Sequence, residues 1–286
     1  MTLTALYSFS FNGQTFGGEG SPYQILSVDG LEGLPGIRNQ DDNRGYADGM
    51  FSGQDFLAGR TISIIFNTFG LGATSAQSNY YTIQQALLPQ VSGTTPLYFK
   101  LPNITGDQYI NARVRGSQTT LDVNYTYGYI TSQVTFFCPD PRYFNSNQQT
   151  ASLAYTPPTG RTYNRVYNLE YGGGSVLITT NIANNGWATA YPTITLNGPI
   201  TNPILGNQTQ GKSLYFTGTY SDSDALVVDL YNKLITLNGQ PARNLLISGE
   251  WFSAQPGNNS FYLTGNVGST TVGVTAATVT WHSAYI

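Results

Sequence analysis

The most literal match to a chemical motif in this sequence is a phosphate-binding loop. Residues 206–213 read GNQTQGKS and satisfy the pattern GxxxxGK[ST], and residues 226–229 resemble the apolar strand whose Asp would help to hold Mg²⁺. The mechanism needs a helix directly after the loop, because a helix N-terminus supplies the N–H groups that cradle phosphates. Residues 214–220, LYFTGTY, favour a strand instead, and twelve residues before Leu226 are too few for a crossover helix. We interpret the match as a surface turn that leads into a strand.

One histidine and one cysteine limit the nucleophilic and metal chemistry of the chain. Any Ser-His-Asp arrangement would have to use His282, whose position after Trp281 in a terminal strand pattern favours a surface or edge residue. Cys138 follows an apolar strand and precedes Pro139, so we expect a buried, inert thiol with no disulfide partner. A zinc site needs more ligands than these two residues supply. We predict no catalytic residue, no cofactor and no metal site.

Carboxylates and aromatic residues in the second half suggest two weaker sites. Three aspartates between residues 222 and 229 resemble an oxygen-rich loop, but they lack the length and closing Glu of an EF-hand. Glu250 beside Trp251 resembles a glycosidase acid in an apolar pocket, but the sequence places no second carboxylate near it. Trp251 and Tyr262 are candidates for glycan contact, although the core aromatic residues of a β-sandwich have the same sequence pattern.

The composition excludes several classes of protein. Of the 286 residues, 40% are hydrophobic and 13% aromatic, which is enough for a packed core and too many for a disordered chain. The net charge of −3 argues against sequence-specific binding of nucleic acid, which needs clustered Lys and Arg. The sequence contains no run of 18 apolar residues and so predicts no membrane-spanning helix. Residues 1–11 lack the pattern of a secretion signal, so we expect synthesis in the cytoplasm of a cell.

Strand patterns dominate and predict an all-β protein with one helix. Apolar and polar residues alternate over residues 61–66, 123–127 and 133–137 of the first half. Asn238-Gly239 is the strongest hairpin signal in the chain. Turn residues separate the strands of the second half at intervals of about ten residues, the spacing of a sandwich or barrel. These strands are predicted at residues 193–196, 213–217, 225–230, 233–237, 259–264 and 277–281.

The predicted helix covers residues near 75–88. Thr74 or Ser75 can cap its N-terminus, and Pro89 stops it. After the strand at 133–137, prolines 139 and 141 break regular structure, because neither can donate to a strand ladder. We therefore predict an N-terminal β domain at 1–145, a linker at 146–165, and a C-terminal β domain at 166–286.

An ordered set of motifs resembles the distal tail proteins of long-tailed bacteriophages. In the first half the set comprises residues 29–35 (DGLEGLP), 44–49 (RGYADG), 58–64 (AGRTISI) and 136–143 (FFCPDPRY). In the second half, residues 191–203 (YPTITLNGPITNP) resemble the opening of the family's galectin-like sandwich. The resemblance covers nearly the whole chain. Further motifs follow in the family's order at residues 211–214, 226–229, 238–239, 248–251 and 256–259.

The resemblance implies a structural role in the tail tip of a virion. Distal tail proteins form a homo-hexameric ring that joins the tail tube protein to the hub protein of the tip or baseplate. Their N-terminal β domains form the ring, and their galectin-like C-terminal β-sandwiches project outward, where receptor-binding proteins can attach. The tape measure protein and later the DNA pass through the channel. Between Pro192 and Trp281 this chain lacks the long insertions with which some relatives bind receptor-binding proteins or sugars.

Residues 36–59 are the candidate subunit interface of such a ring. A loop of this length without structure of its own is usually functional. Its mixed charges would pair across the head-to-tail contact between neighbouring subunits, and the alternative is a merely solvated loop. Arg60, which opens a strand after Gly59, is a candidate for the same interface or for an ion pair within its own chain. The charged residues of the loop are Arg38, Asp41, Asp42, Arg44, Asp48 and Asp55.

A second function stays open at this point. The chain would then be a carbohydrate-binding tail adhesin that recognises a host-surface glycan through Trp251 or Tyr262 of its C-terminal domain. The sequence also does not separate a phage tail from a related injection particle that uses the same adaptor. It identifies neither the host nor the receptor.

Overall fold

The chain divides into two compact units, residues 1–147 with Ile286 and residues 148–285. The computed structural model describes residues 3, 6–101, 106–156, 177–265 and 276–286. Part of the predicted linker forms the strand Gln149–Thr156 of the second unit. The Leu153 side chain of this strand is buried. Residues 157–165 of that linker lie outside the described residues, as does the predicted domain start at residue 166. Within the described part of the chain, no helix has the length and apolar character needed to cross a membrane.

The first unit contains twelve strands and one α-helix in its described part. The helix is α1 (Ala73–Ala86). The strands are β1 (Ser8–Phe11), β2 (Gln14–Gly17), β3 (Tyr23–Asp29), β4 (Ile37–Arg38), β5 (Asp42–Asn43), β6 (Met50–Phe51), β7 (Phe56–Leu57), β8 (Arg60–Phe69), β9 (Thr95–Lys100), β10 (Gln108–Thr120), β11 (Tyr129–Cys138) and β12 (Tyr143–Asn145).

The main sheet of the first unit is antiparallel, in the order β2-β1-β9-β10-β11-β8-β3. Strand β10 joins its two parts, because residues 108–112 pair with β9 and residues 113–120 pair with β11. The register shifts between Val114 and Gly116, where a bulge bends the strand. Aromatic side chains from both parts of the sheet fill one core: Phe9, Phe11, Phe16, Phe66, Phe99 and Phe136.

Helix α1 packs against this core through Ala76 and Ile83. It begins two residues before the predicted range, and the predicted cap is wrong. The N-cap is Gly72, which has no side chain to cap with, and Thr74 and Ser75 lie inside the first turn. Glycine occupies the cap because its φ of 89° lies in the left-handed region.

The strand predicted at residues 123–127 is also wrong, because Val123–Tyr127 forms a 3-10 helix. Asp122 caps its start by accepting the backbone N–H of Asn124 at 2.8 Å, and Gly128 ends it with a φ of 86°. These two residues turn the chain from β10 back into β11. Of the alternating apolar residues that predicted a strand, Val123 and Tyr127 are exposed in this turn and Tyr125 is half-buried.

The second unit contains fourteen strands in its described part. They are β13 (Gln149–Thr156), β14 (Thr179–Asn184), β15 (Thr193–Asn197), β16 (Ile200–Thr201), β17 (Ile204–Asn207), β18 (Lys212–Phe216), β19 (Thr219–Tyr220), β20 (Ala225–Asp229), β21 (Leu234–Leu237), β22 (Gln240–Pro241), β23 (Leu246–Gly249), β24 (Gly257–Thr264), β25 (Ala276–Trp281) and β26 (Ala284–Tyr285).

Strand β13 connects two groups of strands in this unit. On one side the order is β22-β21-β20-β15-β25-β13, and on the other it is β24-β17-β18-β23, with β14 paired to β24. Asn238 and Gly239 form the predicted hairpin turn between β21 and β22, both with positive φ, as the tight turn of a two-residue hairpin requires. The all-β class with one α-helix is therefore confirmed.

Buried asparagines hold the segment that leads into β24. Asn259 accepts the backbone N–H of Gln255 at 2.9 Å, and its amide donates to the carbonyl oxygens of Gln255 and Gly257 at 2.8 and 3.1 Å. Asn207 donates to the carbonyl oxygen of Ser253 at 2.8 Å. A buried side-chain amide whose hydrogen bonds are all satisfied holds a loop in one conformation, as the backbone hydrogen bonds of a ladder hold a strand. This segment is therefore rigid although it has no regular secondary structure.

Candidate subunit interface

Residues 36–59 form a hairpin, which we call the arm, and not the structureless loop that we expected. Strand β4 pairs with β7 at its base, and β5 pairs with β6 nearer its tip. The backbone N–H of Ala58 donates to the carbonyl oxygen of Gly36 at 2.7 Å, which closes the base. Each ladder is only two residues long, so no alternation of apolar residues over a longer stretch could signal it.

The arm projects from the first unit with almost every side chain in solvent. From residue 36 to residue 57, Asp41 alone is half-buried and the others are exposed. A two-stranded hairpin without a core is marginally stable in water, and exposed apolar clusters mark interaction sites. The arm is therefore a candidate interaction surface. Its large exposed apolar residues, which the sequence analysis missed, are Ile37, Tyr46, Met50, Phe51, Phe56 and Leu57.

Both arginines of the arm lie over aromatic rings of the opposite strand. The guanidinium carbon of Arg38 is 5.6 Å from the ring centroid of Phe56, its direct partner in the ladder. That of Arg44 is 5.1 Å from the ring centroid of Phe51. Cation–π contacts at exposed sites contribute about 0.5–1 kcal/mol each, so the two pairs stiffen the hairpin. They also keep two positive charges on the arm surface.

One of the four acidic residues of the arm, Asp41, holds the hairpin together through hydrogen bonds. Asp41 accepts the backbone N–H of Gly53 at 2.8 Å and the side-chain amide of Asn39 at 3.0 Å, which ties the two strands together. Pairing of the arm's charges across a subunit contact stays a prediction. None of the four forms a salt bridge with any described residue, and the three besides Asp41 are Asp42, Asp48 and Asp55.

Glycines fit the arm to the sheet where the chain leaves and rejoins it. Gly30 has a φ of 77°, and a Cβ there would collide with the carbonyl oxygen of Thr61. A Cβ on Gly59 would lie 2.8 Å from the ring of Phe137. Only glycine permits the close approach and the left-handed backbone together at Gly30. The base of the arm is consequently held close against β8 and β11.

Arg60 faces the core of the first unit, which corrects the expectation of an ion pair. Its side chain is 3% exposed, since the alternation along β8 places it on the same buried face as Ile62. The Nη1 group donates to the carbonyl oxygens of Gly30, at 3.2 Å, and Leu31. Its guanidinium carbon lies 5.6 Å from the ring centroid of Tyr143, and burial lowers the pKa of the guanidinium. Arg60 therefore stabilises the base of the arm from inside and forms no salt bridge with any described residue.

The aromatic residues proposed for glycan contact are used within the second unit. The guanidinium of Arg243 covers a face of half-buried Trp251, with its carbon 5.0 Å from the ring centroid. Half-buried Tyr262 lies opposite Gly206 in the β17–β24 ladder, and its ring occupies the space that a Cβ at Gly206 would fill. Glycan contact through these rings stays a prediction, and no feature of this geometry favours it.

The apparent phosphate loop is an antiparallel hairpin, as interpreted from the sequence. Strands β17 and β18 pair directly across it, with Gly206 opposite Ser213, and a strand follows the lysine. The Nζ of Lys212 lies 3.7 Å from an exposed carboxylate oxygen of Glu250. Two residues that suggested different enzymes thus form one surface ion pair.

The remaining candidates for chemistry have structural surroundings. Cys138 is buried, as predicted, and burial raises the pKa of its thiol to about 12. Hydrogen bonds from Asn238 and Ser221 lower the pKa of the Asp224 carboxyl, which holds a hairpin turn together. Among the residues that the structure describes, no three potential metal ligands lie close enough together to hold an ion.

Comparison with known proteins gives one family match and a set of similar structures. Residues 185–285 match the family model described as the C-terminal domain of siphovirus-type tail components. No curated protein sequence matches the chain.

The similar structures are phage proteins. The crystal structure of SPP1 Dit, described as a paradigm of the hub adsorption apparatus in phages that infect Gram-positive bacteria, is 15% identical, covers 98% of this chain and 100% of its own, and has a TM-score of 0.68. A chain of the phage P2 baseplate in its activated, Ca-bound conformation is 10% identical over 98% of both chains, with a TM-score of 0.50. Such identities show the fold, and together with the family match they confirm the resemblance to distal tail proteins.

Proposed function

We propose that this protein is a structural adaptor of a phage tail tip. The chain has the fold of SPP1 Dit, and its residues 185–285 match the C-terminal domain of siphovirus-type tail components. Six copies form a ring that connects the tail tube to the tip hub and leaves a channel for DNA. The protein acts through assembly and not through catalysis. Its place is the virion tail.

The arm is the observation that carries this proposal. It is a 24-residue hairpin that makes almost no contact with the chain from which it projects. Its exposed aromatic and aliphatic residues lie beside charges that have no ionic partner among the described residues. A head-to-tail ring gives every subunit a neighbour on which such a projection can lie. The arm's position on the first unit supports a ring formed by that unit.

The charge of the first unit supports an open DNA channel. Residues 1–143 carry seven basic and ten acidic side chains, and one of the basic ones, Arg60, is buried. Clustered, accessible Lys and Arg would bind the phosphate backbone and retain DNA. A ring with a small excess of acidic groups lets the duplex slide without such binding.

The partners of the ring follow from this place in the tail. The tail tube protein and the hub protein contact its two faces, and the tape measure protein passes through it before the DNA. Receptor-binding proteins attach to the C-terminal units. These units carry few charges, since charged residues are only 9% of the chain, and their sequence is rich in Thr and Asn. Such polar surfaces suit large hydrated contacts between proteins.

Electron microscopy of the negatively stained native chain tests the proposal. We expect closed rings with six-fold symmetry and a central opening. A variant with Phe51→Ser and Phe56→Ser should lose the rings, because it removes two of the arm's apolar contacts. The matched control is Tyr215→Ser, which removes an exposed aromatic side chain of the second unit. Open fibres, or particles without a central opening, would contradict the adaptor.

A further inference from the structure

A second apolar surface, which we call the end patch, lies on the first unit where β8 ends and β11 begins. The backbone N–H of Gly70 donates to the carbonyl oxygen of Gly128 at 3.1 Å, which brings the β8–α1 and β10–β11 connections together. Helix α1 and strand β11, which follow these two connections, contribute other residues to the core. The large exposed apolar residues of the end patch are Leu71, Leu121, Val123, Tyr127 and Tyr129.

The end patch is held in shape by its neighbours. Tyr129 packs edge-on against Phe69, with ring centroids 5.1 Å apart. A Cβ on Gly128, whose φ is 86°, would collide with the carbonyl oxygen of Gly70, so the two connections touch through their backbones. Val123–Tyr127 is a capped 3-10 helix and not an irregular loop. The apolar residues are therefore presented on a preformed surface.

We propose that the end patch receives the arm of a second copy of this chain. The proposal rests on the ring described above and assigns the surface that each arm covers. It names the two halves of the contact: the apolar residues near the tip of the arm on one copy, and the end patch on the next.

The positions of the two surfaces favour this pairing. The arm rejoins the sheet at Arg60, where β8 begins, and the end patch starts just after Phe69, where β8 ends. Ten extended residues separate them by about 30 Å at roughly 3.3 Å per residue. A head-to-tail contact needs two different surfaces on separate parts of one subunit, whereas a two-fold contact uses the same surface twice. An arm of about ten residues per strand reaches a similar distance beyond its own unit.

The charges are complementary as well. Asp122 is the single charged residue within residues 61–99 and 116–139, so the end patch is apolar with one carboxylate beside it. That carboxylate is exposed, and among the described residues it accepts only the backbone N–H and the side-chain amide of Asn124, at 2.8 and 2.9 Å. On the arm, Arg44 lies next to the apolar residues Tyr46 and Phe51. Docking of these rings on the end patch brings the Arg44 guanidinium to Asp122.

Disulfide trapping between single-cysteine variants tests the proposal. Tyr46→Cys places a thiol near the arm tip, and Leu121→Cys places one in the end patch. The native Cys138 is buried and does not interfere. When the two variants are mixed and mildly oxidised, we expect arm-to-patch dimers, and a chain with both substitutions should give a ladder of linked species up to six chains. The control is Ser223→Cys, on an exposed turn of the second unit, which should not link to Leu121→Cys.

Each other outcome overturns a defined part of this account. If light scattering shows the mass of a six-chain ring but no arm-to-patch links form, the adaptor proposal is retained and the end patch binds a different partner. Links between two copies of Leu121→Cys, and none to Tyr46→Cys, would show that the patch pairs with itself. If neither rings nor links form, the ring proposal fails, and the docking of the arm fails with it.

Discussion

Arg60 donates a hydrogen bond to the backbone carbonyl oxygen of Leu31, so a residue that follows the arm holds one that precedes it. The same guanidinium also holds the carbonyl oxygen of Gly30. A buried arginine is costly to desolvate, and here it is used at the one place where a projecting hairpin has to be fixed to the sheet. The base of the arm is thereby rigid although the arm itself lies in solvent.

Replacement of this arginine should loosen the base of the arm. Arg60→Met keeps most of the buried volume but leaves the carbonyl oxygens of Gly30 and Leu31 without their donor. We expect the free energy of unfolding to fall by about 2 kcal/mol, partly offset by removal of a buried charge. Urea titration measures the change, and trypsin cleavage after Arg38 and Arg44 should be faster than in the native chain.

The control for this experiment is Arg115→Met. Arg115 is exposed and lies over Phe137 at 5.3 Å, so its loss should cost about 0.5–1 kcal/mol. Equal destabilisation by both substitutions, with no change in tryptic cleavage of the arm, would show that Arg60 has no special role at its base.

Asn259 should be far more important for stability than its neighbour Asn258. Asn259→Leu leaves the part-buried backbone N–H of Gln255 unpaired, together with the carbonyl oxygens that the amide satisfied. We expect a loss of about 2–3 kcal/mol in the free energy of unfolding. Asn258→Leu changes an exposed side chain and should stay within about 0.5 kcal/mol of the native value. Thermal or urea unfolding of the two variants makes the comparison, and similar losses would refute the role of the buried amide.

The buried thiol should make stability depend on pH in the alkaline range. Burial raises the pKa of Cys138 to about 12 from its ordinary value of 9.0. The unfolded chain therefore loses this proton near pH 9, whereas the native chain keeps it up to about pH 12. Stability from this group is complete below pH 9 and falls by about 1.4 kcal/mol per pH unit above it.

The difference in unfolding free energy between the native chain and Cys138→Ala, measured from pH 8 to pH 10.5, isolates this contribution from other titrating groups. The difference should be constant up to pH 9. Above pH 9 the unfolding free energy of the native chain should fall relative to that of Cys138→Ala. Iodoacetamide should label the thiol at pH 8 only after addition of denaturant. Rapid labelling of the folded chain would show that Cys138 is accessible.

The sequence was sufficient for the parts of the fold in which local pattern and burial agree. Residues 61–66 and 133–137 alternate because one face of β8 and of β11 packs on the core, and this alternation predicts both strands. Asn238-Gly239 predicts its hairpin because few other pairs adopt two positive φ angles in succession. The absence of a helix after Ser213 was also readable, and it correctly assigned the phosphate-loop motif to a hairpin.

The candidate interface could be predicted less well from the sequence. Its residues do not pack in a core, so burial imposes no periodic pattern on them. The apolar residues of the arm lie in two-residue ladders, so neither period nor run length distinguishes them from loop residues. The sequence left Arg60 open between the subunit interface and an ion pair within the chain, and its buried position depends on carbonyl oxygens 29 and 30 positions earlier in the chain. Val123–Tyr127 alternates like a strand but is closed by the capping residue Asp122 and by Gly128. Contacts distant in sequence decided the burial of Arg60, whereas local capping decided the turn at Val123–Tyr127 and two-residue ladders decided the arm.

The most direct test of the central claim is the mass of the purified native chain by light scattering after size exclusion. The account predicts a species near 186 kDa, six times the chain mass of 31.0 kDa. The variant with Phe51→Ser and Phe56→Ser should elute as a folded species of lower mass. A native trimer would indicate a tip adhesin instead. A native chain that stays at 31.0 kDa at high concentration would contradict a ring closed by its own arms.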